Sequence, residues 1–167
     1  MSYDSGASVA LLFALYGVVL GFIFLVLVVD YVLYGIALSM FFRKVGVEPW
    51  IGWVPYYRYW KWLEVEGQPG AYALFGIVSS LRIVTDVFVI IGMWQTGKAF
   101  GKDVGMLILG IFLPFVWLFV LSSRNEVYRP ELRMAAGYPP PLAGYGSAAY
   151  AAAHPDEPWG PRASQPS

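Results

Sequence analysis

Three ionisable side chains, Asp30, Arg82 and Asp86, stand inside otherwise apolar runs of this chain. Charges in such places are where a membrane protein would carry ions or protons. Arg82 and Asp86 are spaced i,i+4, so on a helix they share a face and can pair. Each alone would cost about 2.5–3.5 kcal/mol at mid-bilayer, so each needs a partner or a neighbouring helix. One Arg between two Asp describes either an ion path or a structural ion-pair cluster that holds helices together. No His, Glu or further Asp in the apolar runs extends a relay, which favours the structural cluster.

Other chemistry is thinly provided. The chain has no Cys, which removes thiol catalysis, thiolate metal sites and disulfides. Its one His, His154, lies in a segment rich in Ala, Pro and Gly, so the apolar part has no His-ligated metal site and no Ser–His–Asp triad. A Ser–Lys dyad would need a serine beside a lysine of lowered pKa; Ser39 is close in sequence to Lys44, and Ser79 and Ser80 are available, but nothing frames them. The string Gly97-Lys98-Ala99-Phe100-Gly101-Lys102 lacks the spacing of a phosphate loop. No catalytic residue, metal or cofactor is expected, and the chain is read as non-enzymatic.

The elements that would position these residues are membrane spans. Of 167 residues, 58% are hydrophobic and 13% charged, and mean hydropathy is +0.58; a soluble domain carries about 25% charged residues. Net charge is zero, so no bulk basicity points to nucleic acid. Between Val9 and Phe42 the only charge is Asp30. That run exceeds a signal peptide's apolar core of about 7–15 residues, and Asp4 stands where a positive n-region would be, so a first span or signal anchor is expected. As one helix it would be about 50 Å long against a core of about 30 Å, so it must tilt, bend or protrude. The second run, 71–97, is weakest at Ser79-Ser80-Leu81-Arg82. It reads as one tilted span, with two half-helices meeting there as the alternative. The third, from Val104 to Leu121, is long enough to cross with little tilt, and Pro114 predicts a kink near Gly110.

Between the first two runs lies RKVGVEPWIGWVPYYRYWKWLEVEGQPG, residues 43–70. Trp and Tyr mixed with Lys and Arg beside apolar runs is the composition of a membrane–water interface. Trp50, Trp53, Tyr56, Tyr57, Trp60 and Trp62 are therefore expected as interfacial anchors rather than as a platform for a cation or sugar. Trp50, Trp53, Tyr57 and Lys61 recur at three- and four-residue intervals, which suits a short amphipathic helix lying flat; Pro55 permits such a helix only if it starts nearby. Residues 1–133 form the expected membrane domain. From Met134 to Ser167 the chain is low in complexity, with Pro139-Pro140-Pro141, and predicts a disordered tail. With three spans, seven Lys and Arg of the loops (43, 44, 58, 61, 124, 129, 133) share one side and two (98, 102) the other. The positive-inside rule then puts the N-terminus outside and the aromatic loop and tail in the cytoplasm.

The strings FFRKVGVEPWIGWVPYYRYW, EVEGQPG and GKAFGKDVGMLILGIFLPF resemble a bacterial family of small multi-pass membrane proteins, domain of unknown function 5684. The resemblance covers roughly residues 31–128. The matching positions include Lys44, Gly46, Trp50, Pro55, Tyr57, Gly67, Pro69, Gly101, Gly110 and Pro114. Two departures stand out, because Arg58 and Arg82 replace family Asn residues and Ser79 replaces a Pro. The resemblance implies a bacterial cytoplasmic-membrane protein, with the module fused ahead of a type I signal peptidase in some members, and supplies no activity. The whole reads as an all-α integral membrane protein of three spans. Its expected role is an accessory or scaffold module whose partners are the lipid bilayer and a membrane protein or a second copy, with no nucleic acid. A small transporter or channel element using Asp30, Arg82 and Asp86 is the alternative.

Overall fold

A computed structural model describes residues 5–77 and 81–161. No strand occurs among them. The helices are α1 (Ser5–Val45), α2 (Tyr57–Val65), α3 (Arg82–Ala99), α4 (Val104–Phe112), α5 (Pro114–Ser122), α6 (Pro130–Ala135) and α7 (Ala148–Ala153), with 3-10 segments at Pro49–Trp53 and Gly70–Ile77. The chain divides into two compact units, 1–34 and 35–167.

The first unit is the body of α1. Its side chains from position 6 to 33 are all exposed, and nearly all are apolar. A helix apolar on every side is either buried in protein or solvated by lipid. Among the described residues, α1 is the one helix long and apolar enough to cross a membrane by length and composition. The long first apolar run is thus a single helix of 41 residues.

The second unit is built on the last three turns of α1. Ala37, Leu38, Phe41, Phe42 and Val45 are fully buried there, among Trp62, Leu63, Phe100, Trp117, Leu118 and Leu121. The Phe41 ring lies 6.4 Å from Phe100 and 6.1 Å from Trp117, and Trp117 stacks on Trp62 at 6.5 Å. Aromatic pairs at such distances add about 0.5–1.5 kcal/mol beyond their burial.

The second apolar run is not one helix among the described residues. Residues 70–77 form the 3-10 segment and lie back along α3, because Thr85 Oγ1 donates to Tyr72 O at 3.0 Å and Tyr72 stacks on Phe88 at 4.3 Å. The break expected at Ser79-Ser80 falls on 78–80, outside the described residues, with α3 starting just beyond it at Arg82.

The third run folds back at Pro114 instead of forming the expected kinked span. Leu113 takes φ −135° and ψ 67° and Pro114 begins a new helix. Proline pushes the residue before it out of helical conformation and itself suits a first helical position. The bend therefore falls at Leu113, three residues past the expected Gly110. Both ends of the α4–α5 pair sit together: Lys102 Nζ meets Glu126 Oε1 at 2.6 Å, and Arg129 N donates to Ala99 O at 2.8 Å. Each of these nine-residue helices is about 13 Å long, less than half the hydrocarbon thickness of about 30 Å.

The segment expected as a disordered tail is placed over 134–161. Leu142 N donates to Glu64 O at 2.7 Å, Tyr145 N to Val45 O at 2.8 Å, and Trp94 Nε1 to Tyr138 Oη at 2.8 Å. The segment builds no core of its own. It lies on the second unit through backbone bonds and single side chains, which its Gly and Pro residues permit. The remainder of that expectation, 162–167, lies outside the described residues.

Candidate functional site

The aromatic segment is built in two pieces. Pro49 starts the first 3-10 segment, which is tied to α1 by Ser39 Oγ donating to Pro49 O at 2.8 Å. Tyr56 then takes φ 60°, the one positive φ outside glycine among the described residues, and Tyr57 N donates back to Pro55 O at 2.7 Å. That is a γ-turn of the rare, strained hand. The short helix, expected to start near Pro55, begins at Tyr57 as α2 and carries Tyr57 and Lys61, while Trp50 and Trp53 lie on the separate 3-10 segment before it. Trp50 and Tyr56 are each 56% exposed, with Trp53 and Tyr57 also exposed. Trp60 is half-buried and its Nε1 donates to Glu64 Oε1 at 2.7 Å. Trp62 leaves this set: it is 2% exposed, in the core against Trp117. Its place on the inner face of α2 makes it packing rather than anchor.

The ionisable residues singled out in the sequence divide between the units. Asp30 belongs to the first, where its side chain is exposed; Arg82 and Asp86 are exposed on the first two turns of α3 in the second. Arg82 and Asp86 form no ion pair with each other; ion pairs among the described residues include Lys61–Glu64 and Lys102–Glu126. Ser39 is engaged with Pro49, and Lys44 Nζ donates to Ser123 O, so these two are held on separate partners. His154 stacks on Tyr150 at 4.2 Å. No group of three His, Cys, Asp or Glu able to hold a metal occurs among the described residues.

The most heavily buried polar group was not foreseen. Glu66, just past the end of α2, and Arg133, on α6, are both fully buried. Arg133 Nη1 donates to Val65 O at 3.0 Å; Nη2 donates to Glu66 O at 2.6 Å and to Gln95 Oε1 at 2.8 Å. Neither Glu66 carboxyl oxygen has a hydrogen bond of good geometry. Burial pushes that carboxyl well above the usual range, opposed less strongly by the Trp62 indole and by the Arg133 charge. Burial likewise raises the Tyr128 hydroxyl nearby and lowers Arg133. The cluster holds a buried acid whose proton is held more tightly than usual and a clamped guanidinium, with no nucleophile aligned on a base. The one sequence signal that could have found it is the i,i+4 spacing of Trp62 and Glu66, which becomes informative only once Trp62 is known to be buried. Nothing in the spacing marked Arg133.

Beside the cluster is an open cavity of about 340 Å³, lined by Lys44, Glu126, Tyr128, Arg129, Tyr145 and Trp159 among others. Its charges are mixed in sign, so it favours no single class of ion.

Fold and site together define an all-helical protein with one helix suited to crossing a membrane and two apolar runs that double back. Residues 50–129 match the model of a family described as Family of unknown function (DUF5684), which places this stretch in that domain-of-unknown-function family. The matched stretch takes in the aromatic segment, both folded-back runs, Glu66 and Gln95, and stops short of Arg133. No curated protein and no solved structure matches the chain.

Proposed function

We propose that this chain is a non-enzymatic accessory module of the bacterial cytoplasmic membrane. In this reading α1 crosses the bilayer and both folded-back runs dip into it from the side of the α1 C-terminus. The observation that carries the reading is where the second unit leaves large apolar side chains uncovered. They gather on its folded-back runs, with Ile83 71% and Phe112 78% exposed, beside Ile77, Val87, Ile108 and Leu113. A water-soluble surface rarely leaves such a set open. Lipid would cover it, and the strained Trp50–Tyr57 segment would lie at headgroup depth.

The charge pattern supports the same arrangement. With one crossing and two dips, all nine Lys and Arg at 43, 44, 58, 61, 98, 102, 124, 129 and 133 fall on one side. The positive-inside rule makes that side cytoplasmic and leaves the N-terminus outside. A module of this kind presents its polar base and C-terminal segment to a membrane-protein partner or a second copy.

The chain has no Cys, so single cysteines report topology directly. Cysteines placed at Gly101 and at Ser123, which flank α4–α5, should both react with a membrane-impermeant maleimide from the cytoplasmic side. Phe112→Cys should react only with a lipid-soluble one. Labelling of the two flanks from opposite sides would establish that the third run crosses and end this reading.

A further inference from the structure

The acceptors around Arg133 come from a different part of the chain than the guanidinium they hold. Val65 O and Glu66 O are freed where α2 ends, and Gln95 Oε1 reaches across from α3. The last carbonyls of a helix have no partner within it, so this corner is an oxygen-lined recess before any arginine arrives. Gly67 forms its wall with φ 69°, and any Cβ there would collide with Arg133 Nη2. The Glu66 carboxyl lies beneath, buried and without a well-formed hydrogen bond. All of these residues lie within the matched stretch 50–129, and Arg133 does not.

What fills the recess continues as a proline-rich segment without regular structure. After α6, Pro140 O lies at the wall formed by Gly67, Pro141 is buried, and Leu142 N donates to Glu64 O at 2.7 Å. Arginine is suited to such a place because its flat fork donates to several carbonyl oxygens at once, where a lysine ammonium is a point charge.

We propose that Val65 O, Glu66 O and Gln95 Oε1 form a socket that recognises the arginine of a proline-rich peptide segment, and that this chain fills it in cis with its own residues 130–142. The strap is then a resident ligand of the domain rather than part of it. Removing the arginine opens the socket to the same segment supplied in trans. The proposal does not rest on membrane topology, since every contact in it lies at the polar base.

The test uses the full chain in mild detergent. Arg133→Ala should bind a synthetic peptide of residues 130–145 saturably and regain protection of amides along α2 in hydrogen exchange. The same peptide with citrulline at the arginine position should bind roughly tenfold more weakly or worse, as for loss of one charge-assisted hydrogen bond. The unaltered chain, whose socket is occupied, should bind the arginine peptide far more weakly than the variant. Equal binding by both chains, or equal binding of both peptides, overturns the proposal. Should Arg133→Ala fail to fold, Arg133→Lys serves in its place. A folded variant that ignores the arginine peptide also overturns it.

Discussion

The Glu66 carboxyl occupies the space that a side chain at Gly92 would need. α2 and α3 approach closely there only because position 92 is bare, and the close approach is what seals the acid from water. Gly92→Ala should therefore destabilise the fold by about 1–3 kcal/mol, the usual cost of overpacking, although alanine alone is about 1 kcal/mol better in a helix. Thermal unfolding of the single variants and of Glu66→Ala/Gly92→Ala checks it. The double variant should recover most of the loss, since neighbours that share one space do not add.

The same burial sets a pH dependence. The folded carboxyl of Glu66 is raised well above its usual value, so the folded state holds its proton where the unfolded chain, near 4.3, has released it. The stability from this group is complete below about pH 4.3 and is lost as pH rises toward the folded value. Glu66→Gln, which cannot ionise, should equal the unaltered chain in acid and exceed it above that window. Unfolding midpoints measured across pH 4–9 decide the matter; a constant difference between the two proteins would contradict it.

Trp117 and Gly110 report the turn at Leu113. A Cβ at Gly110 would lie 3.0 Å from the Trp117 ring and 3.1 Å from Met93 Sδ. Seven residues apart on a continuous helix they would be about 10 Å apart along the axis, so the contact exists only because the chain doubles back. Trp117 is fully buried and has nowhere to retreat. Gly110→Ala should cost about 1–3 kcal/mol in thermal unfolding, whereas a rod-like third run would leave it neutral or improved.

These relationships mark how far the sequence could be read. The apolar runs, the first long helix and the aromatic segment were legible because each is a local matter of composition and spacing. The proline at 114 announced a disruption, but local rules do not distinguish a kink from a reversal; the choice depends on Trp117 finding Gly110 and Lys102 finding Glu126. Trp62 was misread for a related reason. Its neighbours in sequence are interfacial in type, and only the packing of α2 on Trp117 separates it from them. Arg133 was illegible because its partners lie 38 to 68 positions away.

Tyr56 carries strain that a glycine would not. A tyrosine at φ 60° in this γ-turn costs on the order of 1–3 kcal/mol, and its side chain is 56% exposed. Tyr56→Gly should raise the unfolding midpoint in detergent, by an amount equivalent to about 1 kcal/mol. It should also let the segment sit less firmly in lipid, read as higher quenching of Trp50 and Trp53 fluorescence by aqueous iodide in vesicles. Stabilisation without greater quenching would separate the strained turn from any anchoring role.

Arg82 gives the sharpest contrast between a run that crosses and one that doubles back. α3 has 18 residues, about 27 Å of helix, nearly the depth of the hydrocarbon core. In the proposed arrangement, with Ala99 at the cytoplasmic base, a dip as deep as α3 is long would bring Arg82 near the far headgroups, where a long cation can keep its charge in water. A single crossing over 71–97 would instead leave it near mid-bilayer, at a cost of about 2.5–3.5 kcal/mol unless paired, and Asp86 does not pair with it here. Arg82→Cys should therefore react with an impermeant maleimide from the side of the N-terminus, and the reaction should be complete without permeabilising the membrane. Silence from both sides would return this arginine to the bilayer interior and reopen the ion-path reading. In that case Asp86→Asn should abolish a proton leak in liposomes. On the arrangement argued here, liposomes carrying either variant stay at the background of lipid alone.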